Sequence, residues 1–227
     1  LGNQPMSLKN NESVTLICNG EIYNYRDIVD SYGFKTESKS DSEVILHLYN
    51  EVPFEDIPKI LDGVYAFVIY DNSKDLVMAG RDPFGVRPMF IGSDKNGGIG
   101  IASEAKSLVG LVQNIKAFPP GNIWTSEHPD RFIPHYKYEY SMTSSDTDDI
   151  LVGVRSRLES AVRKRLMSDR EIGCLLSGGL DSSLIAALVQ KNLDEYSMGS
   201  SGSISKALRP RLKTFSIGMP GSPDLMY

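Results

Sequence analysis

The chain has 227 residues, 41% of them apolar and 23% charged, a globular composition that excludes disorder and collagen-like repeats and leaves room for one large domain or two small ones. With 24 basic against 29 acidic side chains the net charge is −5, which argues against a nucleic-acid partner but leaves open small anions held by backbone N–H groups and a metal. No apolar run approaches the roughly 18 residues of a membrane span, and two cysteines, Cys18 and Cys174, cannot make a disulfide framework, so a cytoplasmic setting without a membrane partner is expected.

In chain order, the first two-thirds predicts short strands and few helices. Val14–Cys18 is β-rich and is expected to stop at Asn19-Gly20, a turn signal. A helix is expected to start at Ser40-Asp41, with Val44, Ile45, Leu48 and Tyr49 on one face, and to end at Pro53. Val64–Tyr70 and Leu76–Ala79 flank the turn composition 71–74 and predict a hairpin. Pro88–Gly92 and Ile99–Ser103 are two further strands around Ser93–Gly98. Hairpins in place of helical crossovers imply an antiparallel sheet.

The pattern then changes. Ser141–Asp149 is the linker candidate, dividing the chain into 1–140 and 141–227. From Thr147 onward, Ile150, Val154, Leu158, Ala161, Val162 and Leu166 recur at helical spacing. Ile172–Leu176 reads as a strand, Ser177–Asp181 as a Gly-rich turn, Ser182 to about Lys191 as a helix, Asn192–Arg211 as mobile, and Thr214–Ile217 as a strand. Strand, tight loop, helix, strand is half of a parallel α/β sheet.

The chemically strongest segment is Ser177-Gly-Gly-Leu-Asp-Ser-Ser183. A strand passing through glycines directly into a helix presents several N–H groups to one point, and the helix N-terminus adds partial positive charge, so the segment suits an anion. It lacks the Gly-Lys-Ser/Thr ending of a Walker A loop. The plainer reading is a Gly-rich turn whose Ser and Asp cap a helix. Cys18 and Cys174 sit in strands and read as buried structural thiols. His47, His128 and His135 lack metal-ligand spacing, so zinc is not expected.

Ser177–Ser183 between strand and helix resembles the pyrophosphate-loop ATP enzymes, in which this loop grips the pyrophosphate of ATP while the α-phosphate is attacked. Asn19-Gly-Glu-Ile-Tyr-Asn24, Ser40-Asp-Ser-Glu43, Leu61-Asp-Gly63, Gly80-Arg-Asp82, Gly85-Val-Arg-Pro88 and Ser103-Glu-Ala-Lys106 resemble, in this order, the class II glutamine amidotransferases. The two together are similar to the glutamine-hydrolysing asparagine synthetase family, a likeness running from Gln4 to Leu225 through Lys164–Asp169, Ile172–Ser177 and Gly218–Leu225.

The resemblance implies an N-terminal-nucleophile (Ntn) hydrolase-type αββα sandwich, incomplete, followed by the start of an α/β parallel-sheet ATPase domain. It also implies an ATP-dependent amide-forming ligase that converts aspartate to asparagine through β-aspartyl-AMP, with ammonia from glutamine. Asn19 and Gly20 would form the oxyanion hole, and Glu21 and Asp41 would hold the α-amino group of glutamine, with Lys39 departing from the small residue usual before Ser-Asp. Leu175 and Ile217 would receive adenine; Ser177, Gly178, Gly179, Asp181 and Ser182 would meet the phosphates, with Asp181 a Mg²⁺ ligand. Arg81 and Asp82 are read as a structural ion pair in preference to catalytic groups. The family's nucleophilic N-terminal Cys and its glutamine-clamping arginine are expected upstream of Leu1, and the remaining acidic loop and aspartate site downstream of Tyr227. The chain alone is therefore expected to be inactive and to fold poorly, and the full-length protein is a candidate homodimer. A β-lactam-synthetase-like relative and a non-catalytic truncated binding product are the rival readings.

Overall fold

Alternation along one strand sets the layers. In Asn11–Ile22 the residues Val14, Leu16, Cys18 and Ile22 are buried, whereas Ile17, Asn19 and Glu21 are exposed. A period of two sends these sets to opposite faces of a sheet. The computed structural model describes residues 2–139, 147–168, 170–199, 211–219 and 221. Two compact units divide the chain, Leu1–Tyr140 and Ser141–Tyr227.

The first unit opens with strands β1 (Met6–Leu8) and β2 (Asn11–Ile22), followed by helices α1 (Tyr25–Tyr32), α2 (Glu43–Glu51) and α3 (Ile57–Ile60). The hairpin β3 (Gly63–Asp71) and β4 (Leu76–Arg81) comes next, then β5 (Phe90–Ser93), β6 (Ile99–Ala102), β7 (Gln113–Ala117), β8 (Asn122–Thr125) and β9 (Ile133–Pro134). They form a six-stranded antiparallel sheet in the order β1-β2-β3-β4-β8-β9 and a three-stranded one in the order β6-β5-β7.

Two cores glue three layers. Leu16, Ile22, Phe67 and Ile69 from one face of the large sheet pack with Ile28 of α1, Val44, Ile45 and Leu48 of α2, and Ile57 of α3. From the other face, Ala66, Ala79 and Trp124 meet Met89 and Ile91, with Ile99 and Ile101 of the small sheet against them. Each fully buried side chain of this size contributes roughly 1.5–3 kcal/mol. The order is therefore helices, sheet, sheet. Beyond the small sheet the described residues of the first unit supply only a 3-10 turn, Ala105–Leu108, whose Leu108 lies over Gly100.

The expectation that β2 stops at Asn19-Gly20 fails. The strand runs on to Ile22, with Asn19 opposite Ala66, Gly20 opposite Tyr65 and Glu21 opposite Val64. A Cβ on Gly20 would stand 2.3 Å from the Val64 carbonyl oxygen, so this glycine permits close approach of β3 rather than a turn.

The second unit holds α4 (Thr147–Lys164), β10 (Gly173–Leu175), α5 (Leu180–Gly199) and β11 (Lys213–Phe215), with β10 and β11 parallel. Three expected boundaries shift. Residues 147–149 belong to α4 rather than to a linker. Leu166 lies beyond the helix, in a turn where its N–H reaches the Arg163 carbonyl at 3.1 Å. Helix α5 starts two residues earlier than Ser182 and runs eight past Lys191; within it the Asn192 side-chain amide donates to the Leu188 carbonyl at 2.8 Å and its Oδ1 accepts from Arg163 at 3.0 Å. Residues 200–210 of the stretch read as mobile, and 141–146 of the linker, lie outside the described residues. Val162, Ala186 and Val189 are the buried apolar residues of α4 and α5, and Lys191 and Arg155 both bond Glu159, at 3.0 and 3.2 Å. Among the described residues no helix is long and apolar enough to cross a membrane.

Candidate functional site

The first candidate site lies at the end of β2. Asn19 shares a face with Ile17, and Ser103 is in phase with Ile99 and Ile101 of β6, so the two polar side chains meet across the gap between the sheets. Asn19 Nδ2 donates to Ser103 Oγ at 3.3 Å. Beside them a cavity of about 220 Å³ is lined by Ile17, Ala66, Val68, Met89 and Ile101 as well as by Asn19 and Ser103. The backbone of Cys18 is pinned by Gln4, whose side-chain amide donates to the Cys18 carbonyl and accepts its N–H, both at 2.7 Å.

Asp41 reaches the same strand end, its Oδ2 accepting the Ile22 N–H at 2.6 Å. Asn19, Gly20, Glu21 and Asp41 are thereby gathered around one strand terminus, with Asn19 and Glu21 exposed. Lys39 is exposed on the approach to Asp41.

One group that the sequence reading passed over holds that approach in place. Glu43 is 3% exposed, and its carboxylate accepts the N–H groups of Glu37 and Ser38 at 2.6 Å each, the Ser38 hydroxyl, and His47 Nε2 at 3.1 Å. Burial pushes this carboxyl up, but the bonds from Ser38, Glu37 and His47 outweigh it and leave it below the usual range. The Ser-x-x-Glu spacing of Ser40 and Glu43 was the available signal, although the cap residue of α2 is Ser42. His47 also stacks on Phe34, centroids 4.9 Å apart, which gives it a packing role.

Cys18 faces the helix layer, away from Asn19. It is 8% exposed, and burial pushes its thiol up to about 12, an unreactive protonated state at neutral pH. Cys174 is an unpaired, half-buried thiol on β10.

The second candidate site is the turn from β10 into α5. Gly178 has φ of 82°, a conformation where an alanine would be strained by about 1–2 kcal/mol. Ser177 N–H donates to Ser182 Oγ at 3.2 Å, the two hydroxyls lie 3.0 Å apart, and Ser182 and Ser183 hydroxyls donate to the Gly179 carbonyl. Ser183 N–H bonds the same carbonyl at 3.1 Å. Among the described residues the N–H groups of Gly178, Gly179, Leu180, Asp181 and Ser182 find no protein acceptor. Five open amides at a helix N-terminus form an anion cradle. Leu175, at the end of β10, is 83% exposed, and Ile217, two residues past the end of β11 and so outside the strand expected to reach it, is 97% exposed. Asp181 is exposed in the first turn of α5, and its carboxylate accepts no hydrogen bond among the described residues. One free carboxylate beside an anion cradle suits Mg²⁺, which binds through one or two carboxylates plus phosphates. No group of three metal-ligating side chains occurs among the described residues.

A glutamine amidotransferase domain model matches residues 1–127, and an asparagine synthase model matches residues 153–227. Glutamine-hydrolysing asparagine synthetase of Gallus gallus is 36% identical over 250 residues, covering 99% of this chain and 43% of that protein. The chain belongs to the glutamine amidotransferase domain family, with a match to asparagine synthase following in its second unit. Asparagine synthetase B of Escherichia coli (strain K12) is 39% identical over 231 residues, covering 99% of this chain and 40% of that protein. The chain thus spans about two-fifths of the length of the asparagine synthetases it matches. In fold alone it is similar to the allosteric regulatory enzyme of purine biosynthesis, with a TM-score of 0.50 and 23% identity over 92% of this chain and 52% of that one.

In this glutamine amidotransferase domain the expected Arg81–Asp82 ion pair does not form. Arg81 instead donates to the carbonyls of Arg87 at 2.7 Å, Gly85 at 2.9 Å and Phe118. Asp82, fully buried, accepts the N–H groups of Phe84, Val86, Arg87 and Tyr65 at 3.0–3.3 Å. Arg81 ends β4 and Asp82 opens the turn that follows, which is why they find separate partners. Together they shape the turn 82–87, which leads into Pro88 and Met89 of the cavity lining. Arg87 Nε in this turn is buried with no acceptor among the described residues. His135 lies on the same network, its Nε2 2.9 Å from the Arg81 carbonyl, and burial holds its pKa down. His128 sits in the loop before β9, exposed.

Proposed function

We propose that this chain is the part of an asparagine synthetase that contains the glutamine pocket and the ATP-pyrophosphate loop. Its whole protein would convert aspartate, ATP, glutamine and water to asparagine, glutamate, AMP and pyrophosphate. The observation that carries the reading is the open loop 178–182, five unpaired amides behind a parallel strand, on the same polypeptide as the Asn19–Asp41 cluster. The αββα completion of the first domain, the domain boundary near 140, the cytoplasmic setting and dimeric assembly belong to the same proposal; neither nucleic acid nor membrane is part of it.

On this reading Asn19 and Gly20 donate to the oxygen of the tetrahedral intermediate formed as glutamine is hydrolysed, where one such donor is worth about 10²–10³ in rate. Glu21 and Asp41 hold the ammonium group of glutamine. In the second unit Ser177, Gly178, Gly179, Asp181 and Ser182 hold the phosphates, and Leu175 and Ile217 offer apolar surface to adenine. A Mg²⁺ held by Asp181 would neutralise charge on the departing pyrophosphate. The aspartate β-carboxylate oxygen bonds the α-phosphorus, pyrophosphate leaves with the electron pair, and ammonia then displaces AMP from the acyl carbon.

The test is product analysis of the complete gene product with aspartate whose β-carboxylate carries ¹⁸O. Equimolar asparagine, AMP and pyrophosphate, with one label carried into AMP, is the expected result. ADP and phosphate as products, or unlabelled AMP, would overturn the reading.

A further inference from the structure

The bond between Asn19 and Ser103 joins residues 84 positions apart and spans the two sheets. Its origin is register. Asn19 follows Ile17 on the inner face of the large sheet, and Ser103 follows Ile99 and Ile101 on the inner face of the small one. The lining nearby is apolar, Ala66, Val68, Met89 and Ile101, so Ser103 is the side chain to which the Asn19 amide is tied.

An asparagine amide has two N–H bonds in one plane. When one donates to Ser103, the plane is set and the second N–H is aimed in a fixed direction. A donor that must meet a developing oxyanion works through such prior alignment, because the reorientation is complete before the charge appears.

Resting on the glutaminase reading above, we infer that Ser103 is a positioning residue for the oxyanion hole: it fixes the Asn19 side-chain amide so that its second N–H points at the site of the tetrahedral oxygen. The role lies in the transition state. Loss of Ser103 lowers kcat for glutamine hydrolysis and leaves KM for glutamine unchanged, since the bound ground state is held by Glu21 and Asp41.

The experiment uses the complete gene product and four variants: Ser103→Ala, Ser103→Thr, Asn19→Ala, and Asn19→Ala with Ser103→Ala. Ser103→Ala is expected to lower glutaminase kcat about tenfold, a fraction of the 10²–10³ lost with a whole oxyanion donor. KM stays within about twofold, and Ser103→Thr, which keeps the hydroxyl, recovers the rate to within about twofold. In the Asn19→Ala background, Ser103→Ala costs nothing more, because the amide it positions is gone. Rates of Ser103→Ala within about twofold of the parent, or an equal loss in both backgrounds, overturn the inference while the Asn19→Ala loss leaves the glutaminase reading standing. Undiminished hydrolysis by Asn19→Ala overturns the oxyanion reading itself, and this inference with it. A Ser103→Thr variant as slow as Ser103→Ala also counts against it, since packing rather than the hydroxyl would then be at work.

Discussion

Asp82 is the sharpest place to perturb the first unit. Its side chain is fully buried, and it accepts four N–H groups: Oδ1 from Phe84 and Val86, both at 3.0 Å, and Oδ2 from Arg87 at 3.1 Å and Tyr65 at 3.3 Å. Hydrogen bonds to a charged acceptor contribute about 1.5–3 kcal/mol each, but four on one carboxylate do not add. Asp82→Ala orphans all four donors and opens a void, so a loss of about 3–5 kcal/mol is expected, the range for breaking a buried charged network. Asp82→Asn keeps one carbonyl oxygen for Phe84 and Val86 but turns an NH₂ toward the other two donors, so about 2–3 kcal/mol should go. Trp124 is the chain's single tryptophan and is 1% exposed, in the core between the sheets, so its fluorescence reports unfolding. With an m-value of about 2 kcal/mol/M, the urea midpoint should fall by about 2 M for alanine and about 1 M for asparagine. Hydrogen exchange should show the amides of 84–87 losing protection first. An alanine variant within about 0.5 M of the parent, or one that keeps protection at 84–87, refutes the claim that this carboxylate holds the turn.

Two further outcomes follow from burial and charge. The Cys18 thiol, pushed up to about 12 by burial, should resist iodoacetamide at pH 8 in the folded protein and react fully in 6 M guanidinium; rapid alkylation of the native state, traced by peptide mapping, would contradict its placement. For Asp71, burial pushes the carboxyl up, but the Ser73 and Tyr49 hydroxyls and the Lys74 ammonium outweigh it and hold it at about 2, against 3.8 ordinarily. A carboxyl depressed on folding contributes stability that is full above about pH 4 and lost as pH falls toward 2. Urea midpoints between pH 5 and pH 2 should therefore slope less steeply in Asp71→Asn than in the parent, and equal slopes would show that Asp71 takes no part.

The amino-acid order alone determined the local pieces whose physics is local. Ser177-Gly-Gly-Leu-Asp-Ser-Ser183 could be read as an anion cradle because glycines and a following helix need no distant partner to expose their amides. The hairpin of β3 and β4 and the helix α2 from its 3.6-residue periodicity were legible for the same reason, and the parallel pairing of β10 with β11 followed from the helix that connects them. What only the tertiary structure decided were relations between residues far apart. Asn19-Gly20 carries turn chemistry, yet it lies within a strand, because β3 approaches closely enough that only glycine fits opposite Tyr65. Arg81 and Asp82 are neighbours of opposite charge, yet each finds its partners on a separate set of backbone groups, since one ends a strand and the other opens the turn after it. Ser103 meets Asn19 only because the registers of two sheets coincide, and no pattern along 84 residues of sequence encodes that distance.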